Sequence, residues 1–255
     1  MFPLRDSIPR VHVPYAVYAL IALNALAFAY TLTLTRPEVA QLFHLYGVVP
    51  ARFSHPLAAQ AVGYPAFGLQ TFVTYMFLHG GWLHVIVNMW TLWIFADNIE
   101  DVMGPLRFVG FYLSCGLAAL GVHYLFNPES IAPVVGASGA IAGVMGAYFL
   151  LYPHAKVVTL IPIFIFPLIL NIPAVLYLGI WFAAQFFSGV SDLASSGSGA
   201  GIAWWAHAGG FVAGMLLLPL FRKKGRCYFC AKPDGQDFLR RRRDGGGGWP
   251  PGRDF

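Results

Sequence analysis

Residues 136–152 read GASGAIAGVMGAYFLLY, a sequence typical of a close-packed membrane helix. No charge interrupts the run, and Ser138, Ala142 and Gly146 share one helical face, with Gly139 and Gly143 beside them. Faces of small residues let membrane helices approach closely. Ser138 opens the run, and a polar side chain at membrane depth is costly, so it indicates a functional role.

A second apolar run, residues 202–221, carries a matching face. His207, Gly210 and Gly214 recur at i, i+3 and i+7. Packing of the two small-residue faces would bring Ser138 beside His207. A serine next to a histidine is a nucleophile next to a base. The sequence therefore predicts peptide-bond hydrolysis within the bilayer.

The composition agrees with a membrane protein. Of 255 residues, 58% are hydrophobic and 11% are charged, with a mean hydropathy of +0.63, whereas soluble domains carry about 25% charged residues. Three cysteines do not form a disulfide framework. Residues 1–13 lack the features of a cleaved signal peptide, so the first apolar run is expected to stay as a span.

The hydropathy pattern predicts six spans. Residues 157–187 are too long for one span and are broken by Pro162, Pro167 and Pro173, which disfavour helix. This part is read as an apolar interfacial stretch followed by a span. The spans are Tyr15–Leu34, Phe72–Ala96 with a break at His79-Gly80-Gly81, Phe108–Phe126, Ser138–Tyr152, Ala174–Phe187 and Ile202–Phe221.

The basic residues predict the orientation. With the N-terminus inside, fourteen of the sixteen Lys and Arg residues are cytoplasmic, and only Arg36 and Arg52 lie outside. The expected organisation is a cytoplasmic segment at 1–14, a six-span domain at 15–221 and a basic tail at 222–255. Two outer loops follow, Arg36–Thr71 and the Gly/Ser-rich Ser188–Gly201.

Three polar residues fall at one predicted depth. At about 1.5 Å per residue, Ser138 lies roughly 9 Å, His207 roughly 8 Å and His84 about 10 Å below the outer surface. Each signal alone has a plainer explanation, because Gly and Ser line many helix contacts and a single histidine can be hydrogen-bonded in a core. Their coincidence favours a shared site.

The expected chemistry is that of a dyad. His207 would take the proton of Ser138 and return it to the leaving amine. All eleven acidic residues fall outside the predicted span interiors, so no carboxylate is available to orient His207, and its orienting group is not evident from the sequence. The free backbone N–H of Ser138, together with His84 and Asn88 at i and i+4, could donate hydrogen bonds to an oxyanion.

These residues resemble the rhomboid family of intramembrane serine proteases, over about Tyr15 to Phe221. The resemblance implies an all-α membrane protein, a bundle of six transmembrane helices with a water-filled cavity open to the outside. It also implies a fifth helix and a Ser188–Gly201 loop that act as gate and cap. The motifs that carry it are His79-x4-His84-x3-Asn88, Gly136-Ala137-Ser138-Gly139 and Ala206-His207-Ala208-Gly209-Gly210 with Gly214.

In this resemblance Ser138 is the nucleophile, His207 the base, and His84, Asn88 and the Ser138 amide form the oxyanion hole. The expected substrates are membrane proteins with a single span, cut in or near that span, and no cofactor or metal is expected. The length is similar to that of bacterial members, which implies the bacterial inner membrane. The supporting residues are Gly136, Gly139, His79, Gly210 and Gly214.

Two family features are missing. The first outer loop has no Trp-Arg pair, and Ala51-Arg52-Phe53 holds its nearest basic residue. Some members have a tyrosine four residues after the serine that stacks on the histidine, but here Ala142 stands there, so His207 needs other support. Trp204 and Trp205 are not assumed to replace it.

Other functions fit less well. A catalytically inactive relative that binds and escorts spans usually lacks the serine or histidine. Ion-coupled transporters often use an intramembrane carboxylate, and a metalloprotease would need a His-Glu-x-x-His motif; the sequence has neither. The oligomeric state is left open.

The tail, residues 222–255, is rich in glycine, proline and charge, so disorder is expected. Its basic run Arg240–Arg243 could contact anionic lipid or serve only as a topology signal, and nucleic-acid binding is not expected. Cys227 and Cys230 have the spacing of half a zinc site. Because no second pair exists, two free thiols are expected, with a metal shared between two copies as the alternative.

Overall fold

A computed structural model describes residues 1–65, 68–163, 166–194 and 203–231. The helices are supplemented by one short antiparallel sheet and a 3₁₀ turn at Tyr75–Phe77. The elements follow in the order β1 (Phe2–Asp6), α1 (Tyr15–Leu32), α2 (Arg36–Tyr46), α3 (Pro50–Ser54), α4 (Pro56–Ala61), α5 (Thr71–Thr74), α6 (Trp82–Met103), α7 (Pro105–Phe126), α8 (Ser138–Leu151), β2 (Lys156–Ile163), β3 (Phe166–Pro173), α9 (Ala174–Ala194) and α10 (Trp204–Phe221).

Each predicted span overlaps one helix of at least 14 residues. Within the described residues, α1, α7, α9 and α10 are long and apolar enough to cross a membrane, and α8 is apolar but has only 14 residues. The protein is therefore an integral, multi-pass membrane protein. The remaining helix, α6, lies in the second predicted span, has 22 residues and carries three carboxylates in its last two turns, so a count of six spans stays a prediction.

The second span differs from its predicted bounds. The predicted break is present, because the 3₁₀ turn ends at Phe77 and α6 starts only at Trp82. The helix then continues to Met103, so Asp97, Glu100 and Asp101 belong to it, whereas the sequence placed its inner end near Asp97.

The acidic end of α6 holds the start of α1. The Glu100 carboxylate accepts hydrogen bonds from the backbone N–H groups of Ala16 and Val17, at 3.1 and 2.9 Å. Asp101 accepts them from Val11 and His12. Because the first N–H groups of a helix lack partners within it, the buried Glu100 carboxylate acts as a cap and complements the positive end of the helix dipole, while Asp101 binds the chain just before α1.

The sheet corrects the all-α prediction. Residues read as an interfacial stretch form the hairpin of β2 and β3, and β1 adds to it in the order β1-β2-β3, antiparallel throughout. β-branched residues favour strand here, while proline disfavours helix. Pro162 lies opposite Pro167, beyond the part of β2 that pairs with β1. The N–H that proline lacks is therefore not needed for hydrogen bonds between β1 and β2.

Arg52 anchors the long first loop. It is 5% exposed, and its guanidinium lies 5.2 Å from the ring centre of Tyr64 and 5.6 Å from that of Phe53. Nη2 also donates to the Pro65 carbonyl oxygen at 2.8 Å. The loop lacks the Trp-Arg pair, but its basic residue Arg52 is thus buried in cation–π contacts with two aromatic rings of the same loop.

The start of the tail packs on the bundle. Lys223 N–H donates to the Val102 carbonyl and Ala231 N–H to that of Leu151, so residues 222–231 depart from the expected disorder. Cys227 and Cys230 are buried in the core and form a disulfide, so the prediction of free thiols is wrong. Residues 232–255, with the Arg240–Arg243 run, lie outside the described residues.

Candidate active site

Helices α8 and α10 are in backbone contact. A methyl group on Gly210 would collide with the carbonyl oxygen of Gly139, and one on Gly214 would collide with that of Gly143. On the other helix, a methyl group on Gly146 would collide with the Phe211 carbonyl. The predicted small-residue faces therefore meet, and no larger residue fits between them.

This contact brings Ser138 and His207 together. The Oγ atom of Ser138 lies 2.7 Å from Nε2 of His207, a hydrogen-bond distance. Ser138 is the first residue of α8 and His207 lies in the first turn of α10. The contact predicted from the two small-residue faces is present.

The chain enters α8 through a conformation that favours glycine. Gly136 has a φ of +127°, and its N–H donates to the Tyr75 carbonyl at 2.8 Å. The Tyr75 hydroxyl in turn donates to the Gly116 carbonyl of α7 at 2.8 Å. The backbone N–H of Ser138, as the first of α8, has no acceptor within the helix. These contacts hold that N–H and the Ser138 side chain at the helix start.

His84 borders the same space. The position that a Cβ on Gly136 would occupy is 2.7 Å from Nε2 of His84 and 3.7 Å from Oγ of Ser138. The missing side chain thus leaves room between the two groups. Because the Gly80 N–H points at Nδ1 of His84, at 3.4 Å, that nitrogen accepts. A neutral His84 then carries its proton on Nε2, the nitrogen facing Ser138.

Asn88 and His79 complete the α6 side. The Asn88 side-chain amide donates to the His84 carbonyl at 3.0 Å, which uses one of its two N–H bonds and leaves the other. His79, which the resemblance names as a supporting residue, lies in the break before α6 and is fully buried. Its ring packs edge-on against His84 with centroids 4.9 Å apart.

Sequence reasoning missed Gln185. Its Oε1 lies 2.6 Å from Nδ1 of His207, on the side of the ring opposite Ser138. Gln185 is the one amide or charged side chain in the apolar run 174–187. The argument that singled out Ser138, a polar side chain inside an apolar span, could therefore have found it.

The aromatic support of His207 also comes mainly from α9. The Trp181 ring centre is 6.0 Å from that of His207, and Trp204 lies edge-on at 6.5 Å. Trp205 instead stacks on Phe126 at 3.9 Å. The support that Ala142 does not supply is thus provided by a different helix. The expected cap loop begins inside α9, which extends to Ala194, and residues 195–202 lie outside the described residues.

The chain is similar to proteins of one family. The rhomboid domain family matches residues 67–224. The chain is 29% identical to rhomboid protein 1, mitochondrial, of Saccharomyces cerevisiae over 150 residues. This aligned stretch covers 55% of this chain and 38% of the yeast protein. The chain is also 36% identical to presenilin-associated rhomboid-like protein A, mitochondrial, of Danio rerio over 93 residues. This stretch covers 35% of this chain and 24% of the relative.

A plant protein matches over a shorter stretch. RHOMBOID-like protein 6, mitochondrial, of Arabidopsis thaliana is 40% identical over 75 residues, 29% of this chain and 24% of that protein. The matched part of the chain thus spans between about a quarter and two fifths of these relatives. The three relatives come from a fungus, an animal and a plant, and all are named as mitochondrial.

The backbone contact between α8 and α10 yields a stability test. We expect Gly210→Ala to lower the free energy of unfolding by about 1–3 kcal/mol, because the new methyl group must push α10 away from the Gly139 carbonyl. Thermal unfolding in detergent measures the change. Gly121→Ala in α7 is the matched control, since no atom lies within 4 Å of its added methyl. Equal losses in both variants would contradict the contact.

Proposed function

We propose that this chain, which belongs to the rhomboid family, is an intramembrane serine endopeptidase that hydrolyses peptide bonds in or near the spans of membrane proteins. The observation that carries the proposal is the 2.7 Å contact between Ser138 Oγ and His207 Nε2 at the ends of two membrane helices. A serine hydroxyl is a weak nucleophile, and it is activated by a base at this distance.

In the proposed reaction, Ser138 Oγ attacks the carbonyl carbon of the scissile bond while His207 Nε2 takes the hydroxyl proton. The tetrahedral intermediate collapses, the carbon–nitrogen bond breaks, and His207 returns the proton to the leaving amine. Water then attacks the acyl-enzyme ester while His207 takes a proton from it, the bond between Ser138 Oγ and the acyl carbon breaks, and His207 returns the proton to Ser138 Oγ as the carboxyl product leaves. The two residues thus act as a dyad without a carboxylate.

The oxyanion needs hydrogen-bond donors. The Ser138 N–H at the start of α8, the Nε2–H of His84 and the remaining amide N–H of Asn88 are the proposed donors. The open space over Gly136, between His84 and Ser138, supports this assignment. The positive end of the α8 dipole favours the developing charge as well.

The proposed substrates are membrane proteins with a single span. Such a segment reaches the site laterally, at the depth where Ser138 lies. The carbonyls of an intact helix are hydrogen-bonded within it, so a few residues of the substrate must unwind before Ser138 can attack. Glycine or proline near the scissile bond would lower the cost of unwinding.

The proposal includes a membrane and an orientation. The six predicted spans support a bacterial plasma membrane with both termini in the cytoplasm, whereas the relatives described above are named as mitochondrial. The distribution of Lys and Arg supports the orientation. In either membrane, the active site would face away from the compartment that holds the termini.

A fluorophosphonate probe tests the dyad without a known substrate. We expect the purified wild type to be labelled and Ser138→Ala to be unlabelled, because the reacting oxygen is gone. His207→Ala should lose at least about 100-fold in labelling rate, the usual contribution of a positioned base. Labelling is measured by in-gel fluorescence, with thermal unfolding as the control for folding.

Two results would contradict the proposal. Labelling of Ser138→Ala equal to that of wild type would place the reactive group elsewhere. An unlabelled but folded wild type would instead favour the catalytically inactive relative that binds and escorts spans.

The oxyanion donors can be tested separately. We expect His84→Ala and Asn88→Ala each to lower kcat for cleavage of a single-span reporter by about 100-fold, as loss of one donor costs roughly 3–4 kcal/mol at most. KM should change little, because the donors act mainly in the transition state. Thr91→Ala, on an exposed part of α6, is the control. A rise in KM at constant kcat would contradict the assignment.

Reporter fusions test the orientation. Alkaline phosphatase, which is active only outside the cytoplasm, should be active when fused after Gln60 in the first loop and inactive when fused after Phe255. Green fluorescent protein fused at the same two positions should show the reverse pattern. An active phosphatase after Phe255 would invert the proposed topology and place the site on the cytoplasmic side.

A further inference from the structure

Gln185 is in contact with the proposed base. Its Oε1 lies 2.6 Å from His207 Nδ1, and the side chain is half-buried between α9 and α10. The remainder of the run 174–187 is apolar or aromatic apart from this residue. An amide in such surroundings is costly unless its polar atoms are paired. The contact with His207 pairs the carbonyl oxygen.

The direction of this hydrogen bond follows from the chemistry of its partners. Oε1 is a carbonyl oxygen and can only accept, so His207 Nδ1 must carry a proton. In a neutral imidazole, Nε2 then has the free lone pair. Nε2 is the nitrogen that lies 2.7 Å from Ser138 Oγ. The contact with Gln185 therefore selects the tautomer in which His207 can take the serine proton.

The same contact persists through the reaction. When His207 takes the proton of Ser138, both ring nitrogens carry hydrogen, and Nδ1–H still donates to Gln185. In soluble serine hydrolases, a buried carboxylate holds the equivalent N–H. A neutral amide oxygen supplies orientation and a partial negative charge without placing a formal charge in the bilayer, where a lone carboxylate would be expensive.

Gln185 lies on α9, a helix that packs against the rest of the bundle with a single face. Trp181, one turn earlier, lies on the same face and its ring is 6.0 Å from that of His207. Residues on other faces of α9 are exposed, among them Leu176 and Ile180 at 55% and Phe187 at 68%. The position of the amide therefore depends on α9 staying packed against α10.

We propose that Gln185 is a positioning residue that fixes the tautomer and the ring orientation of His207. Through Gln185, α9 would help to keep His207 in the state that accepts the serine proton. This inference rests on the proposed function, since it assumes that His207 acts on Ser138. It adds α9 to a site that otherwise consists of the Ser138–His207 contact between α8 and α10 and the proposed oxyanion donors of α6.

The test compares three variants by their second-order rate of labelling with a fluorophosphonate probe. Gln185→Met keeps the length and flexibility of the side chain but removes the acceptor. We expect it to lower the rate roughly tenfold, the usual effect of losing one hydrogen bond. Gln185→Glu keeps an acceptor at the same reach and should stay within about threefold of wild type. Phe187→Leu, exposed on the same helix, should leave the rate unchanged.

A second measurement examines the hydrogen bond itself. In protein labelled with ¹⁵N-histidine, the Nδ1–H proton of His207 should give a downfield signal in the wild type and in Gln185→Glu. Gln185→Met should lose that signal or shift it upfield. A purely structural role for Gln185 would lower thermal stability without changing this resonance, so the two roles are distinguishable.

The outcomes separate the inference from the proposal beneath it. Slow labelling of folded Gln185→Met, with near-normal labelling of Gln185→Glu, would support the inference. If Gln185→Met is labelled as fast as wild type, or if Gln185→Met and Gln185→Glu are labelled equally slowly, the positioning role is overturned while the proposed serine protease activity is unaffected. If folded wild type is not labelled at all, both the proposed function and the positioning role fail.

Discussion

The backbone contact between α8 and α10 is the constraint on which the candidate site depends. Serine has one of the shortest side chains, so its hydroxyl reaches a histidine on another helix only if the two backbones nearly touch. Gly139 opposite Gly210 and Gly143 opposite Gly214 permit that approach. In lipid, apolar surface gains little by leaving the solvent, so close van der Waals packing takes over much of the role that hydrophobic burial has in water. The small residues therefore determine both the packing of the bundle and the geometry of its chemistry.

Polar contacts at the ends of the helices hold the remaining elements in register. Glu100 on α6 binds the backbone N–H groups at the start of α1, and Asp101 binds those of the segment just before it. The Gly136 N–H binds the Tyr75 carbonyl before α6. Each joins a buried polar group of one element to the backbone of another. A buried polar group without a partner is costly, so these contacts restrict how the elements can be arranged and keep His84 beside Ser138.

Helix α9 is the exception in this bundle. Only 22% of the residues in its most apolar part, within Ala174–Asp192, are buried, against 39% in the apolar parts of α7 and α10. Nevertheless it supplies both Trp181 and Gln185 to the surroundings of His207. A helix with a single packed face thus carries the polar contact nearest to the proposed base. The chemistry of the site and the packing of its least buried helix are coupled through these two side chains.

The sequence by itself determined the helix bundle and the pairing of Ser138 with His207, because the spacing of small residues along a helix is a local property. It did not predict the β2–β3 hairpin, since an apolar stretch broken by proline is compatible with several structures until β1 pairs with it. The disulfide was missed because the tail was expected to be disordered, and only its packing against α6 and α8 buries both cysteines. The contact between Gln185 and His207 was decided by tertiary structure alone. It joins residues on two helices, and no periodicity within either helix records which face of α9 turns toward α10.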